Sequence, residues 1–566
     1  MPSSFTLSSR NIQIALVMVL CLLLSFLYTA SWGVARHHPY SIEYEGHVLW
    51  ACQALAKGAN IYSLTALTQE PYSVVIYNPL YFALGAFLQK LTGGTYEPLR
   101  LLSMASALVS FLAFWRLLSL SRVSDLSKII TLAAFAASLP VLHWSTVARV
   151  DILGLALSII ALERFCKSYI NETATTGETG STGETKSSKE TDSKASRPII
   201  KLSAAAAFIL AYFAKQQYLV VFASCLLFAL WKGKRKLALQ YLGLFAVPTV
   251  LVSLYLQNIS GGYFQHLTYA SGLDWQWETL ANFLLPFLFD AKTIAALTIL
   301  IYPLLRKNSD SALTEELLSD KPHVTEPTSD EPQSPEPISD EQQSTEPISA
   351  KPQSPEPISD NPQSTAVLTT LPIILFGLST LVLLYTMGLK GAYHNHLLCA
   401  VLALLWAVAL RLDKTPNLMR TVYIAAAIYS LIPLLVFSYN LSKRIGYRAD
   451  TAKAVELLKK LPKDAYILSE DPTLPLLAER QPVIVDATTF LNMRGKHPET
   501  FEKIKAGIKE RRYAAIIINL RDAKYSMEYI WPEELVASIK ANYQIAGATG
   551  GNGMVQKIYL PANSRQ

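Results

Sequence analysis

Apolar residues in this chain come in long uninterrupted runs rather than in the single stripes and short alternations of a water-soluble fold. The first run, 12–34, is flanked by Arg10 and Arg36. It is long enough to cross a hydrocarbon layer of about 30 Å at about 1.5 Å per residue. It is also too long for the apolar core of a signal peptide, so it reads as a retained membrane helix. Further runs at 100–120, 127–143, 150–167, 201–215, 217–232, 238–257, 282–305, 366–388, 395–412 and 418–439 predict a polytopic, mostly α membrane protein with about 11 transmembrane helices. From about Asp450 the pattern changes. Amphipathic stretches at 452–461, 500–511 and 532–543 alternate with short apolar stretches at 466–469, 482–486 and 513–519. That alternation predicts a soluble α/β domain over 443–566, with a partly parallel sheet, after a membrane domain over 1–442.

Two stretches carry too little apolar surface to offset chain entropy. Residues 171–198 are rich in Thr, Ser, Glu and Lys, and residues 326–365 are four ten-residue repeats, EPTSDEPQSP, EPISDEQQST, EPISAKPQSP and EPISDNPQST. Both loops, 171–198 and 310–365, are expected to be disordered spacers. The second also hides the charge of the remainder. It holds thirteen acidic residues against two lysines, so a chain of formal net charge +7 carries +18 elsewhere.

Those basic residues sit at the ends of the apolar runs, which directs them to anionic lipid headgroups rather than to nucleic acid. The clusters Lys232/Lys234/Arg235/Lys236, Arg306/Lys307 and Arg411/Lys414/Arg420 all fall on one side if the N-terminus is cytoplasmic. Both low-complexity loops are then cytoplasmic, while residues 36–99 and the C-terminal domain lie outside. Lys443, Arg444 and Arg448 run against this rule at the final crossing. The five cysteines are scattered without CxxC spacing, so no disulfide framework is expected.

Candidate chemistry gathers on the outer side. Glu43 and Glu45 immediately precede an amphipathic helix carrying Trp50 and Leu55, and Asn78-Pro79 introduces a second interfacial helix at 81–91. Arg149, Asp151, Lys215, Gln216, Lys390 and Asn395 stand at other outer helix ends. Each has a plainer reading: solvated acids beside a helix N-terminus, or cations snorkelling to an interface. His37-His38, and the His394 and His396 that flank Asn395, have spacing that suits a transition metal, but interfacial histidines more often make ordinary hydrogen bonds. No cofactor is predicted from them, and a divalent metal stays unsupported.

The order of these motifs resembles the GT-C superfamily of membrane glycosyltransferases, in particular the branch of protein O-mannosyltransferases and the lipid A aminoarabinose transferase. The matching residues are Glu45-Gly46 followed by Ala51, Leu55, Gly58 and Tyr62, then Tyr77-Asn78-Pro79-Leu80-Tyr81 in place of that family's Tyr-Pro-Pro-Leu-Tyr, then Arg100-Leu-Leu-Ser103. Weaker echoes are Arg149-Val-Asp151, Lys215-Gln216 and Gly391-Ala-Tyr-His-Asn395.

The resemblance implies transfer of a sugar from a polyprenyl-phosphate donor to a glycan, lipid or protein acceptor on the extracytoplasmic face of a plasma or inner membrane. It implies a first-loop carboxylate as general base on the acceptor, here Glu45 or Glu43. One position departs from the family, which places Asp directly before the Glu where this chain has Tyr44. Arg149, Lys215 and Lys390 are the candidates to face the donor phosphate, and Tyr77, Asn78, Tyr81, Asp151, Gln216 and Asn395 to line the substrate site.

Two other readings share the helix count: a transporter or flippase, and a noncatalytic component of envelope polysaccharide assembly. Transporters are built on paired repeats and on broken helices with polar residues at mid-membrane, and the apolar runs show neither. Charged residues deep in the runs are almost absent. Deleting residues 326–365 should leave expression and detergent-solubilised melting temperature unchanged, because loop closure costs only about 0.6 kcal/mol per doubling of length. A variant that fails to insert would give the repeats a structural role.

Overall fold

The computed structural model of the chain describes residues 8–38, 45–93, 95–121, 123–177, 189–269, 275–303, 362–389, 393–443, 448–486, 497–520, 531–549 and 555–562. The repeats, Glu43, Tyr44 and Lys390 lie outside these residues. Helices α1 (Ser9–His37), α2 (Gly46–Ala56), α3 (Leu80–Thr92) and α4 (Glu97–Ser119) open the fold. They are followed by α5 (Asp125–Ala136), α6 (Leu139–Thr146), α7 (Asp151–Gly177), α8 (Lys189–Ala214), α9 (Leu219–Trp231), α10 (Arg235–Ser260) and α11 (Tyr263–Thr268). After α12 (Trp277–Leu288) and α13 (Ala291–Pro303) come α14 (Pro362–Met387), α15 (Leu398–Leu412), α16 (Asn417–Tyr429) and α17 (Leu431–Lys443).

Every predicted run coincides with a helix or a broken pair of helices. Among the described residues six helices are long and apolar enough to cross a membrane, or eight if each bent pair counts once. The protein is an integral, multi-pass membrane protein. The helices α7 and α8 reach further than expected, into both flanks of the low-complexity stretch 171–198, and Lys201 of α8 pairs with Glu172 of α7 at 2.8 Å.

The bundle also corrects the expectation of unbroken helices without deep charge. The α5–α6 pair bends by 60° and the α12–α13 pair by 67°. Pro140 at the start of α6 has no amide hydrogen to continue the ladder of α5, and Asp290 restarts the chain as a cap on α13, accepting from the Thr293 amide at 3.1 Å. The orphaned carbonyl end of α5 is met by Lys292, whose ammonium, almost fully buried, donates to Ala137 O at 3.2 Å and Ser138 Oγ at 3.0 Å. Asp290 also accepts from Ser430 Oγ at 3.0 Å, at the junction of α16 and α17. The two charges thus serve the backbone of broken helices, where an unmet polar group in hydrocarbon costs several kcal/mol. Sequence pattern missed them because two charges in a run of more than twenty residues barely lower its mean hydropathy.

The C-terminal domain adds α18 (Arg448–Lys459), β1 (Tyr466–Ser469), α19 (Thr473–Leu477), β2 (Gln481–Pro482), α20 (Pro498–Lys509), β3 (Ala515–Leu520), α21 (Glu533–Asn542), β4 (Tyr543–Thr549) and β5 (Val555–Pro561). The sheet order is β2-β1-β3-β5-β4, parallel among the first three and antiparallel at the other edge. The predicted strand at 482–486 is mostly not part of this sheet. Its residues pair instead with the loop after α2: the Tyr72 amide donates to Val483 O at 2.8 Å and the Val485 amide to Tyr72 O at 2.9 Å.

Other bonds clamp the domain to the start of α4 and to the same loop. Tyr96 and Thr473 share a hydroxyl hydrogen bond of 2.5 Å, and Arg512 pairs with Glu70. Gly46 lets the start of α2 lie against the domain, since a Cβ there would stand 2.2 Å from Asp471 Oδ1.

Replacing Lys292 by methionine leaves the end of α5 without its donor. The solubilised variant should lose about 1–3 kcal/mol of stability, the cost of an unpaired buried polar group. An unchanged thermal melt would show that the break is satisfied some other way.

Candidate functional site

Several helix ends meet where the sheet domain joins the bundle, and the link between α6 and α7 runs among them. Arg100, one turn into α4, is fully buried. Its guanidinium holds Glu45 at the start of α2 by Nε–Oε1 at 3.0 Å and Nη2–Oε2 at 2.5 Å, and donates to Ala35 O and His38 O at the end of α1 at 2.8 and 2.6 Å. Glu45 Oε1 accepts in turn from the Ala148 amide at 2.5 Å, on the link between α6 and α7. Both oxygens of Glu45 are therefore engaged and the side chain is sealed from solvent. In this structure its two oxygens face Arg100 and the Ala148 amide.

Residue 148 fixed in this way sets the two residues that follow. Arg149 donates to Tyr77 Oη at 3.0 Å and lies over the rings of Tyr77 and Trp144 at 5.5 and 5.6 Å. Asp151, first residue of α7, accepts at Oδ1 from Lys215 Nζ at 2.5 Å and from Asn395 Nδ2 at 2.8 Å. Its backbone carbonyl accepts from Tyr218 Oη at 2.5 Å. Gly154 makes room for that ring, since a Cβ there would stand 2.2 Å from Tyr218. Lys215 lies 5.2 Å from the centre of the Tyr77 ring, and Gln216 ties the same turn to Ile76 O at 2.8 Å.

Of the sequence-nominated residues, Tyr77, Arg149, Asp151, Lys215, Gln216 and Asn395 thus form one cluster. Asn78 and Tyr81 do not join it. The Asn78 amide donates to Tyr212 O at 2.6 Å and accepts from Tyr263 Oη at 2.5 Å, while Tyr81 Oη bonds Leu99 O at 2.9 Å inside the α3–α4 packing.

Among the described residues Arg149 Nε, Asp151 Oδ2, Gln216 Oε1, Asn395 Oδ1 and His394 Nε2 are buried without a hydrogen-bond partner, as are side-chain atoms at other places in the chain. Buried polar atoms are normally paired, so orphans gathered beside Arg149 and Lys215 make this a place able to take a polar ligand. Residues the sequence did not nominate complete it. His47, on the first turn of α2, faces Tyr77 at a ring distance of 6.4 Å. Burial, reinforced by the charge of Arg149, pushes His47 down to about 4, so its ring is neutral at physiological pH. His394 packs edge-on to His143 at 4.6 Å and beside Trp144 at 5.5 Å. Among the described residues no three His, Cys, Asp or Glu side chains gather as metal ligands.

His394 also lines a cavity of about 320 Å³ whose walls include Phe283, Phe287, Leu397 and Leu404 together with the charged pair Asp290 and Lys292.

Among solved structures the chain is similar to ArnT from Cupriavidus metallidurans. With the form bound to undecaprenyl phosphate the identity is 12%, the alignment covers 97% of this chain and 98% of that one, and the TM-score is 0.53. With the apo state the values are 11%, 96%, 98% and 0.51. The archaeal oligosaccharyltransferase AglB from Archaeoglobus fulgidus, in complex with an inhibitory peptide and a dolichol-phosphate, aligns at 13% identity over 94% of this chain and 74% of that one, with a TM-score of 0.46. No protein-family model and no curated protein sequence matches the chain.

Replacing Arg100 by methionine strands the Glu45 carboxylate in a dry site and should destabilise the protein by about 3–5 kcal/mol, whereas changing Arg100 and Glu45 together to methionine and glutamine should recover a large part of that loss. Thermal melts of the single and double variants measure the coupling. Equal losses in both would mean that the pair does not organise this end of the bundle.

Proposed function

Because the chain has the GT-C fold, we propose that it is a membrane glycosyltransferase that moves a sugar from a polyprenyl-phosphate-linked donor to a glycan, lipid or protein acceptor. The observation that supports this reading is the set of buried polar atoms beside Arg149 and Lys215 that have no partner among the described residues, one of which, His394, also lines a cavity with apolar walls. An anionic lipid head fits that description, with its chain in the cavity and its phosphate against the two cations. As the bond from sugar to phosphate breaks, negative charge grows on the leaving phosphate. Two preorganised cations in a water-poor site stabilise that charge far better than solvent does. Tyr77 holds Arg149 in place and contributes its ring to the walls of the site.

Lys390 and Glu43 keep their proposed places beside the phosphate and the acceptor, as residues of the adjoining segments. Glu45 enters this scheme as the anchor of Arg100 and of the 148–151 turn. We place the site on the extracytoplasmic face, since Asp413, between the basic residues Arg411 and Lys414, bonds Ser124 and Ser127 at the opposite end of the bundle. The bent helices and deep charges favour a transporter or flippase as the second reading. Against it, Lys292 and Asp290 are engaged at the breaks themselves, Lys292 by Ala137 O and Ser138 Oγ and Asp290 by the Thr293 amide and Ser430 Oγ.

Purified protein incubated with a panel of polyprenyl-phosphate sugars should release polyprenyl phosphate. Arg149→Met and Lys215→Met should each weaken binding of polyprenyl phosphate by about tenfold or more, since a hydrogen bond to a charged group is worth about 1.5–3 kcal/mol. Wild-type affinity in both variants, or vectorial movement of lipid without release, would remove this reading.

A further inference from the structure

The stretch 75–78, which carries Tyr77, is held along its length by α8, α11, the turn at 216–218 and the loop after α2. The Val75 amide donates to Nδ1 of His266 on α11 at 3.1 Å, and Ile76 O accepts from Gln216 Nε2 at 2.8 Å. Tyr77 O accepts from Tyr62 Oη at 2.7 Å, while the Asn78 side chain accepts from Tyr263 Oη at 2.5 Å and donates to Tyr212 O at 2.6 Å. The start of α11 brings the helix to this loop. Gly261 bridges Ser63, the Asn60 side-chain amide donates to Ser260 O at 2.9 Å, and a Cβ on Gly262 would stand 2.5 Å from Tyr62 O. Only glycine lets the backbone at 262 lie so close to that of Tyr62.

His266 has no choice of tautomer. It is fully buried between two backbone groups of opposite kind. The Val75 amide can only donate, so Nδ1 must offer a lone pair. The Ser63 carbonyl, 3.0 Å from Nε2, can only accept, so the ring proton sits on Nε2. Burial holds the ring below the ordinary imidazole range, which keeps it neutral at physiological pH. The ring is thus a strut between Ser63 and the amide two residues before Tyr77. Tyr77 Oη in turn accepts from Arg149 Nη2 at 3.0 Å, and among the described residues it is the hydrogen-bond acceptor of that guanidinium.

We propose that His266 is a positioning residue for Arg149: its Nδ1 fixes the Val75 amide, and with it the reach of the Tyr77 hydroxyl that aims the guanidinium. The proposal rests on the glycosyl-transfer reading above for the ligand, a lipid-linked phosphate. Stacking over Tyr77 and Trp144 confines the guanidinium without deciding which of its N–H groups face a ligand, and the bond to Tyr77 Oη decides it by engaging Nη2. A phosphate is recognised by the planar fork of N–H groups, so a guanidinium free to turn binds it less well. His266 touches neither Arg149 nor the ligand in this scheme. Its effect passes through the stretch 75–77.

The test separates the two bonds of the ring. Asparagine places its side-chain oxygen where Nδ1 stood, within reach of the Val75 amide, and gives up Ser63. Glutamine reaches the place of Nε2 and can donate to Ser63 O, but leaves the Val75 amide unpaired. Full-length wild type, His266→Asn, His266→Gln, Tyr77→Phe and the double variant His266→Gln/Tyr77→Phe are measured for binding of polyprenyl phosphate and for thermal melting. Both His266 variants lose one bond and should melt lower, so a merely structural role would weaken lipid-phosphate binding in both alike. Instead, His266→Gln should weaken it about three- to tenfold, the span of one net hydrogen bond, while His266→Asn stays within about twofold of wild type. Because the effect runs through Tyr77, the double variant should bind within about twofold of Tyr77→Phe. Equal losses in the two His266 variants, wild-type affinity in His266→Gln, or losses that multiply in the double variant would each overturn the proposal. Where His266→Gln does not fold, His266→Asn decides alone, and a loss beyond about twofold overturns it. A wild type that binds no polyprenyl phosphate would remove the lipid-donor reading and the positioning role together, whereas a wild type that binds, with His266 variants that do not part, would remove the role of His266 alone.

Discussion

The bond network of Arg100 is the constraint on which the functional end of the molecule depends. One guanidinium, without solvent contact, joins the end of α1, the start of α2 and its own helix α4, and through Glu45 it fixes the Ala148 amide. A buried ion pair gains little net stability, because two charges have given up their hydration. What this one supplies is geometry. Three stretches of chain far apart in sequence are brought within a few ångströms, and the turn that carries Arg149 and Asp151 is set by the last bond of the series. Lysine in the same place would offer a point charge, whereas the planar fork of arginine meets a carboxylate and two carbonyls at once.

The same economy of charge governs the rest of the bundle. Charge buried in a bilayer is costly unless it is paired or bonded, so the protein gathers Arg149, Lys215 and Asp151 at helix ends and keeps the helix faces apolar. Asp290 and Lys292 sit at bends of 60° and 67°, where broken backbone ladders leave donors and acceptors that only polar groups can meet. They are the cost of bending two helices around a cavity, whose walls they share with His394.

Hydrophobic runs made the helices legible, because a bilayer demands about twenty apolar residues per crossing whatever their order. The α/β character of the C-terminal domain was legible from period and from strand-sized apolar stretches. Its antiparallel edge, β4 and β5, was not, since Tyr543–Thr549 reads as the tail of a helix and includes two alanines and a glycine. Within the site, residues at helix ends beside Pro, Asn or Asp stood out, and Arg149, Asp151, Lys215 and Asn395 do meet. Asn78 and Tyr81 stood out equally, yet bond within the packing, because a motif marks a residue as constrained without saying whether a ligand or a neighbouring helix applies the constraint. The partnership of Glu45 with Arg100 was illegible for another reason. It spans 55 residues and depends on which faces of α2 and α4 meet, which local pattern does not record.

The end of the sheet is the extreme case of such non-local placement. The stretch 482–486 reads as one strand of the α/β domain. The sheet instead ends at β2, and the next residues pair with the loop after α2, so that the edge of one domain is finished by backbone from the other. An exposed strand edge would be open to pairing with a foreign chain, and covering it removes that hazard. The same pairing makes the C-terminal domain and the first loop a single unit: Gly46 lies against Asp471, Tyr96 bonds Thr473, and Tyr72 is bound on both sides of Ile484. Tyr77, which accepts from Arg149, follows Tyr72 on that loop, so the docking of the C-terminal domain bears on the cluster through the segment that carries Tyr77.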